Sequence, residues 1–156
     1  MKLQPAYSYR KDPSVPGSPD DRPIIVFDGH CVLCSGWINF VLRHDQTAKF
    51  RLLPAQTDLG RAIYLHFDLD PDDYQTNILI MDGIAWVKSE SSIRMAEGLG
   101  FPWRLAAVAR ALPLSIRDFL YSWVARNRFR WFGHRSSCYL PSDSVRSRFL
   151  GYPQSS

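Results

Sequence analysis

The run Ile24 to Phe27, IIVF, is continuous, apolar and largely β-branched, and it stops at Asp28-Gly29. A strand with one wet face alternates, so an unbroken run of this kind marks a strand buried on both faces, as in parallel sheets flanked by helices. A helical period follows almost at once. From Cys31 onward, Val32, Leu33, Trp37, Ile38, Val41 and Leu42 recur at helical spacing as far as Arg43–Asp45. KFRLLP, Lys49 to Pro54, then reads as a second strand. The chain therefore opens with a strand–helix–strand unit, whose right-handed crossover lays the helix on one face of the sheet.

Thr57 is placed to cap a second helix running through Phe67, with Leu59, Ile63 and Phe67 on one face. LDPDDYQT, Leu69 to Thr76, is a polar turn. NILIM, Asn77 to Met81, is a third strand, Asp82-Gly83 a hairpin turn, and IAWVK, Ile84 to Lys88, a fourth strand. Ser89 or Ser91 is expected to cap a helix ending around Gly98–Gly100. Helical stretches over Pro102–Ala111 and Leu114–Asn127 follow, separated by Pro113, and the remainder reads as irregular with one short helical turn. This order predicts an α/β, thioredoxin-like fold: a four-stranded mixed sheet (βαβαββα) with extra C-terminal helices. Residues 1–22, rich in Pro, Ser, Asp and Gly, are expected to form a disordered tail, residues 23–150 the domain and residues 151–156 a flexible tail.

A chain of 156 residues with 46% hydrophobic content can bury its own core, so it needs neither disulfide nor metal to fold. Its three cysteines, Cys31, Cys34 and Cys138, are too few for a secreted disulfide scaffold. No apolar run suits a signal peptide or a membrane span. The expected location is therefore the reducing cytoplasm, where a CxxC pair is catalytic or metal-binding more often than structural.

The net charge of +4 is unevenly spread, with nine arginines against Asp118 and Asp143 from Trp103 onward. A solvated arginine-rich helix face explains this more simply than nucleic acid or an acidic partner.

The predicted topology places CVLC at the start of the first long helix. There, unpaired N–H groups and the helix dipole favour a thiolate, the nucleophilic form of cysteine. Two intervening residues bring Cys34 one turn behind Cys31, within reach of a bridge. The expectation is that Cys31 is the exposed, more acidic, attacking thiol and that Cys34 lies beneath it and resolves the mixed disulfide. Asp28 at the strand end is expected to cap the helix or to take the Cys34 proton. Gly29 makes the turn, and His30, if protonated, would lower the Cys31 pKa further. No cofactor and no bound metal is expected. The expected partners are a disulfide-containing protein or small thiol and a cellular thiol reductant.

VFDGHCVLCSG, with Asp28, Cys31 and Cys34, resembles the DCC family of predicted thiol–disulfide oxidoreductases. ARNRFRWFGHRSSCYLP, Ala125 to Pro141, resembles that family's later arginine and aromatic segment, including Cys138. The resemblance runs from about Pro23 to Leu150 and implies a thioredoxin-like fold and disulfide exchange. Better-known thioredoxin-like enzymes hold substrate backbone with a cis-proline before the third strand. Thr76 occupies that place here and is expected to be trans, since a cis bond would cost about 2.5–4 kcal/mol.

Two alternatives compete. Cys31, Cys34, Cys138 and His134 could form a Cys₃His zinc set, although the second half lacks a paired-cysteine knuckle. RNRFRWF, Arg126 to Phe132, could bind single-stranded nucleic acid, but packing of Phe129, Trp131 and Phe132 onto the sheet is the simpler expectation. Trp103 to Val108 with Leu112 and Leu114 could touch a membrane surface or a partner, with core packing again the simpler expectation.

Overall fold

A computed structural model describes residues 4–17, 21–70, 77–133, 142 and 144–150. The strands are β1 (Ile24–Phe27), β2 (Arg51–Pro54), β3 (Ile78–Met81) and β4 (Ile84–Val87). The α-helices are α1 (Val32–His44), α2 (Asp58–His66), α3 (Lys88–Gly98) and α4 (Leu114–Phe132), with a 3₁₀ segment over Trp103–Ala111. The strand order is β2-β1-β3-β4. β1 runs parallel to β2 and antiparallel to β3, which is antiparallel to β4. This is the mixed α/β sheet of a thioredoxin-like fold.

All four residues of β1 are buried, because helices cover both faces of the sheet. Ile24 and Val26 face α2 through Leu59, Ile63 and Tyr64. Ile25 and Phe27 face α1 and α3 through Ile38, Val41 and Met95. Thr57 caps α2, its hydroxyl accepting the Gly60 N–H at 3.1 Å. Asp82 and Gly83 both take positive φ, 54° and 79°, as the tight hairpin requires. A side chain on Gly83 would also strike the Tyr7 ring.

Several local expectations are corrected. Within the stretch read from sequence as a tail, the described residues 4–17 make specific contacts with the domain. Tyr9 is buried against Phe67, and His66 Nδ1 and Nε2 lie 2.7 Å from Asp12 Oδ2 and 2.8 Å from Ser8 Oγ. Two tyrosines in a polar stretch thus suffice to anchor it, and Tyr7 N–H donates to Gly83 O. Neither serine caps α3. The helix begins at Lys88 with Val87 as its cap, while Ser89 bonds to Asp118 and Ser91 to the Lys88 carbonyl.

The helix begun at Leu114 does not stop near Asn127 but continues to Phe132, because nothing in RNRFRWF breaks it before Gly133, whose φ is 91°. It lies against α1 and α3, so Phe129, Trp131 and Phe132 do not pack on the sheet and are exposed. Leu105 and Val108 likewise face outward, 58% and 70% exposed, where core packing was expected. Part of the basic charge is neutralised internally. Glu90 pairs with Arg94, Arg110 and Arg117, and Arg110 also pairs with Glu97.

Candidate active site

β1 delivers the chain to Asp28, and a tight turn at Gly29-His30 starts α1 at the carboxyl end of the sheet, where open α/β sheets hold their ligands. The turn is held by its own polar groups. Asp28 Oδ1 accepts the His30 N–H at 2.9 Å and the Gln56 side-chain amide at 2.6 Å, and Gln56 Oε1 accepts the Gly29 N–H at 3.0 Å.

Asp28 is therefore not the helix cap. Cys31 is, its Sγ accepting the Cys34 N–H at 3.3 Å. Sulfur thus occupies the place an N-cap oxygen takes, facing the positive end of the helix. Both cysteines are free.

Their acidities are split. The Cys34 thiol donates to Cys31, and with the Cys34 N–H and the Arg128 charge it draws the Cys31 pKa from 9.0 down to about 7, against burial and the Asp28 charge. The same thiol–thiol bond, burial and the adjacent Cys31 charge push Cys34 strongly upward. One proton shared between two sulfurs gives one acidic and one reluctant thiol.

The expected order of exposure is reversed. Cys31 is buried, 0% exposed, with its sulfur held at the N-terminus of α1 by the Cys34 N–H. Cys34 is half-buried and forms part of the wall of a cavity of about 350 Å³ between α1 and α4. The lining includes Leu33, Trp37, Leu120, Tyr121 and Val124.

In the sequence Arg128 reads only as part of RNRFRWF, with no role beside Asp28. It reaches from α4 to place Nη2 3.5 Å from Asp28 Oδ2, with side chains only 5% and 3% exposed. Nη1 donates to the Ala125 carbonyl at 2.6 Å, and the guanidinium stacks on Phe129. The available signal was periodicity. Tyr121, Val124, Ala125 and Arg128 recur at helical spacing, and all four line the cavity. Gln56 carried no such signal. Thr76, Cys138 and His134 lie outside the described residues, so the peptide-clamp and zinc expectations that use them do too.

Residues 25–134 match the model of the DCC1-like thiol–disulfide oxidoreductase family, and the chain belongs to that family. It is 35% identical over 127 residues to the YuxK protein of Bacillus subtilis, covering 81% of this chain and 93% of that one. It is 37% identical over 122 residues to a DCC family protein of Arabidopsis thaliana described as chloroplastic, covering 78% and 71%. No solved structure matches. Among the described residues no helix is long and apolar enough to cross a membrane.

Proposed function

We propose that this protein exchanges its Cys31/Cys34 dithiol or disulfide with a substrate disulfide or thiol through a mixed-disulfide intermediate. Cys31 is the member held as a thiolate near neutral pH. The bridge is returned to the dithiol by a cellular thiol reductant, and the setting is the cytoplasm. The observation that carries this reading is the cap itself: Cys31 Sγ receives the Cys34 N–H at 3.3 Å at a helix N-terminus. That geometry stabilises S⁻ and places the second sulfur one turn away, the two requirements of a dithiol redox pair. Asp28, Gln56 and Arg128 act as positioning residues that fix the turn and the charge beside it.

The test is equilibration of the protein in glutathione redox buffers, followed by acid quenching and mass mapping of the thiols. A two-electron transition that links Cys31 to Cys34, and is lost in Cys31→Ser and in Cys34→Ser, is the expected result. If the two cysteines stay reduced, or each takes up glutathione without bridging, the proposal is wrong.

A further inference from the structure

We infer that Cys34, not Cys31, carries the mixed disulfide, and that its substrate is a small, uncharged, apolar thiol or the corresponding disulfide, seated in the cavity between α1 and α4. This rests on the redox reading above and names the substrate class for the same site.

Three observations converge. Of the two cysteines, Cys34 lines the cavity, whereas Cys31 is fully buried. The lining is chiefly Leu33, Trp37, Leu120, Val124 and Ala125, and at about 350 Å³ the cavity stands near the lower end of the roughly 300–1,000 Å³ of small-molecule sites. Among the described lining residues the one charged side chain is Arg128, and it faces Asp28 at 3.5 Å, an arrangement that favours an uncharged ligand over an ionic one. The main chain adds a further argument. At the head of β3 the Asn77 N–H, the type of donor an extended peptide would use, is taken by the Tyr121 hydroxyl at 3.1 Å. The site is arranged for a compact ligand rather than a strand.

Access and acidity then fall to different sulfurs in a way that suits one direction of reaction. With the pair bridged, a substrate thiolate RS⁻ in the cavity attacks Cys34 Sγ. The Cys31–Cys34 bond breaks and Cys31 departs with the electron pair as a thiolate, received by the Cys34 N–H. Attack at the sulfur whose partner is the better leaving group is the faster course. A second substrate thiol then attacks the R sulfur of the Cys34–S–S–R adduct, and Cys34 leaves, taking up the proton that this thiol gives up. Two RSH become RSSR, and the two electrons reside in the protein dithiol. The reverse sequence reduces RSSR.

The experiment presents the oxidised full-length protein with phenylmethanethiol or glutathione, each rate divided by that thiol's rate with an exposed model disulfide. After this correction phenylmethanethiol is expected to react at least about tenfold faster, the gain from burying roughly two methylene equivalents. Leu120→Glu, at a position already 45% exposed, is expected to abolish that preference. In Cys31→Ser, bis(phenylmethyl) disulfide should modify Cys34. In Cys34→Ser it should leave Cys31 essentially unmodified under the same conditions. Equal corrected rates, a preference untouched by Leu120→Glu, or ready adduct formation at Cys31 would overturn the inference and leave the redox reading standing. A pair that never bridges would overturn both.

Discussion

The hydrogen bond from the Cys34 thiol is the largest of the influences that bring Cys31 from 9.0 to about 7. Two pH units correspond to about 2.7 kcal/mol of preference for the thiolate. Cys34→Ala removes that donor but keeps the residue-34 N–H, so part of the effect should survive. The Cys31 pKa is expected to rise by at least about one unit, taking its thiolate fraction at neutral pH from about one half to about one tenth. Ultraviolet thiolate absorbance across a pH titration, with Cys138→Ala as background, reads this directly.

The same shifts bear on stability. Between about pH 7 and 9 the folded pair holds one proton and the unfolded chain two, so the reduced protein should gain stability with rising pH. Above 9.0 the unfolded chain loses both protons while folded Cys34 keeps its own, so the trend reverses. Chemical denaturation midpoints of the reduced protein should therefore peak near pH 9. A Cys31 pKa unmoved by Cys34→Ala, or midpoints falling steadily from pH 7, would refute the shared-proton account.

Arg128→Met strands the Asp28 carboxylate in the interior and should cost about 3 kcal/mol, the lower end for a broken buried pair, because Gln56 and the His30 N–H still serve Asp28. Asp28→Asn added to Arg128→Met should recover most of that loss in urea melts. A single variant as stable as the parent would show that the 3.5 Å pair does not hold the turn. Gly60→Ala tests packing against propensity: helix preference alone predicts a gain of about 1 kcal/mol. Its Cβ would clash with the Pro54 carbonyl oxygen and lie 2.8 Å from Ala55 Cα, so a loss of about 1–3 kcal/mol and a lower Tm are expected instead.

The features legible beforehand were those with a local physical code. The buried run IIVF, the Asp82-Gly83 turn and the Thr57 cap each announce their geometry within a few residues, and together they mark the order of elements along the chain. The CVLC placement was readable for the same reason. The failures come from contacts between segments distant in the chain. Nothing near Asp28 says that an arginine on α4 will face it, and nothing near Cys31 says that its sulfur will turn inward while Cys34 meets a helix from the other half of the chain. Ser89 and Ser91 obeyed cap preference in sequence, but Asp118 and the Lys88 carbonyl claimed their hydroxyls. The exposed leucine and valine of the 3₁₀ segment misled because composition alone does not state which face is covered.

Phe149 pairs alongside Leu52, and the neighbouring Leu150 N–H donates to the Leu52 carbonyl at 2.7 Å, while Arg148 reaches Asp45 at the end of α1. The Phe149 ring meets Phe27 edge-on with centroids 6.3 Å apart, directly before the turn that carries the cysteines. During synthesis on the ribosome, the two thiols thus emerge long before the aromatic ring that packs on Phe27 just ahead of their turn. Until that ring arrives, Phe27, the last residue of the strand leading into the reactive turn, lacks its aromatic neighbour.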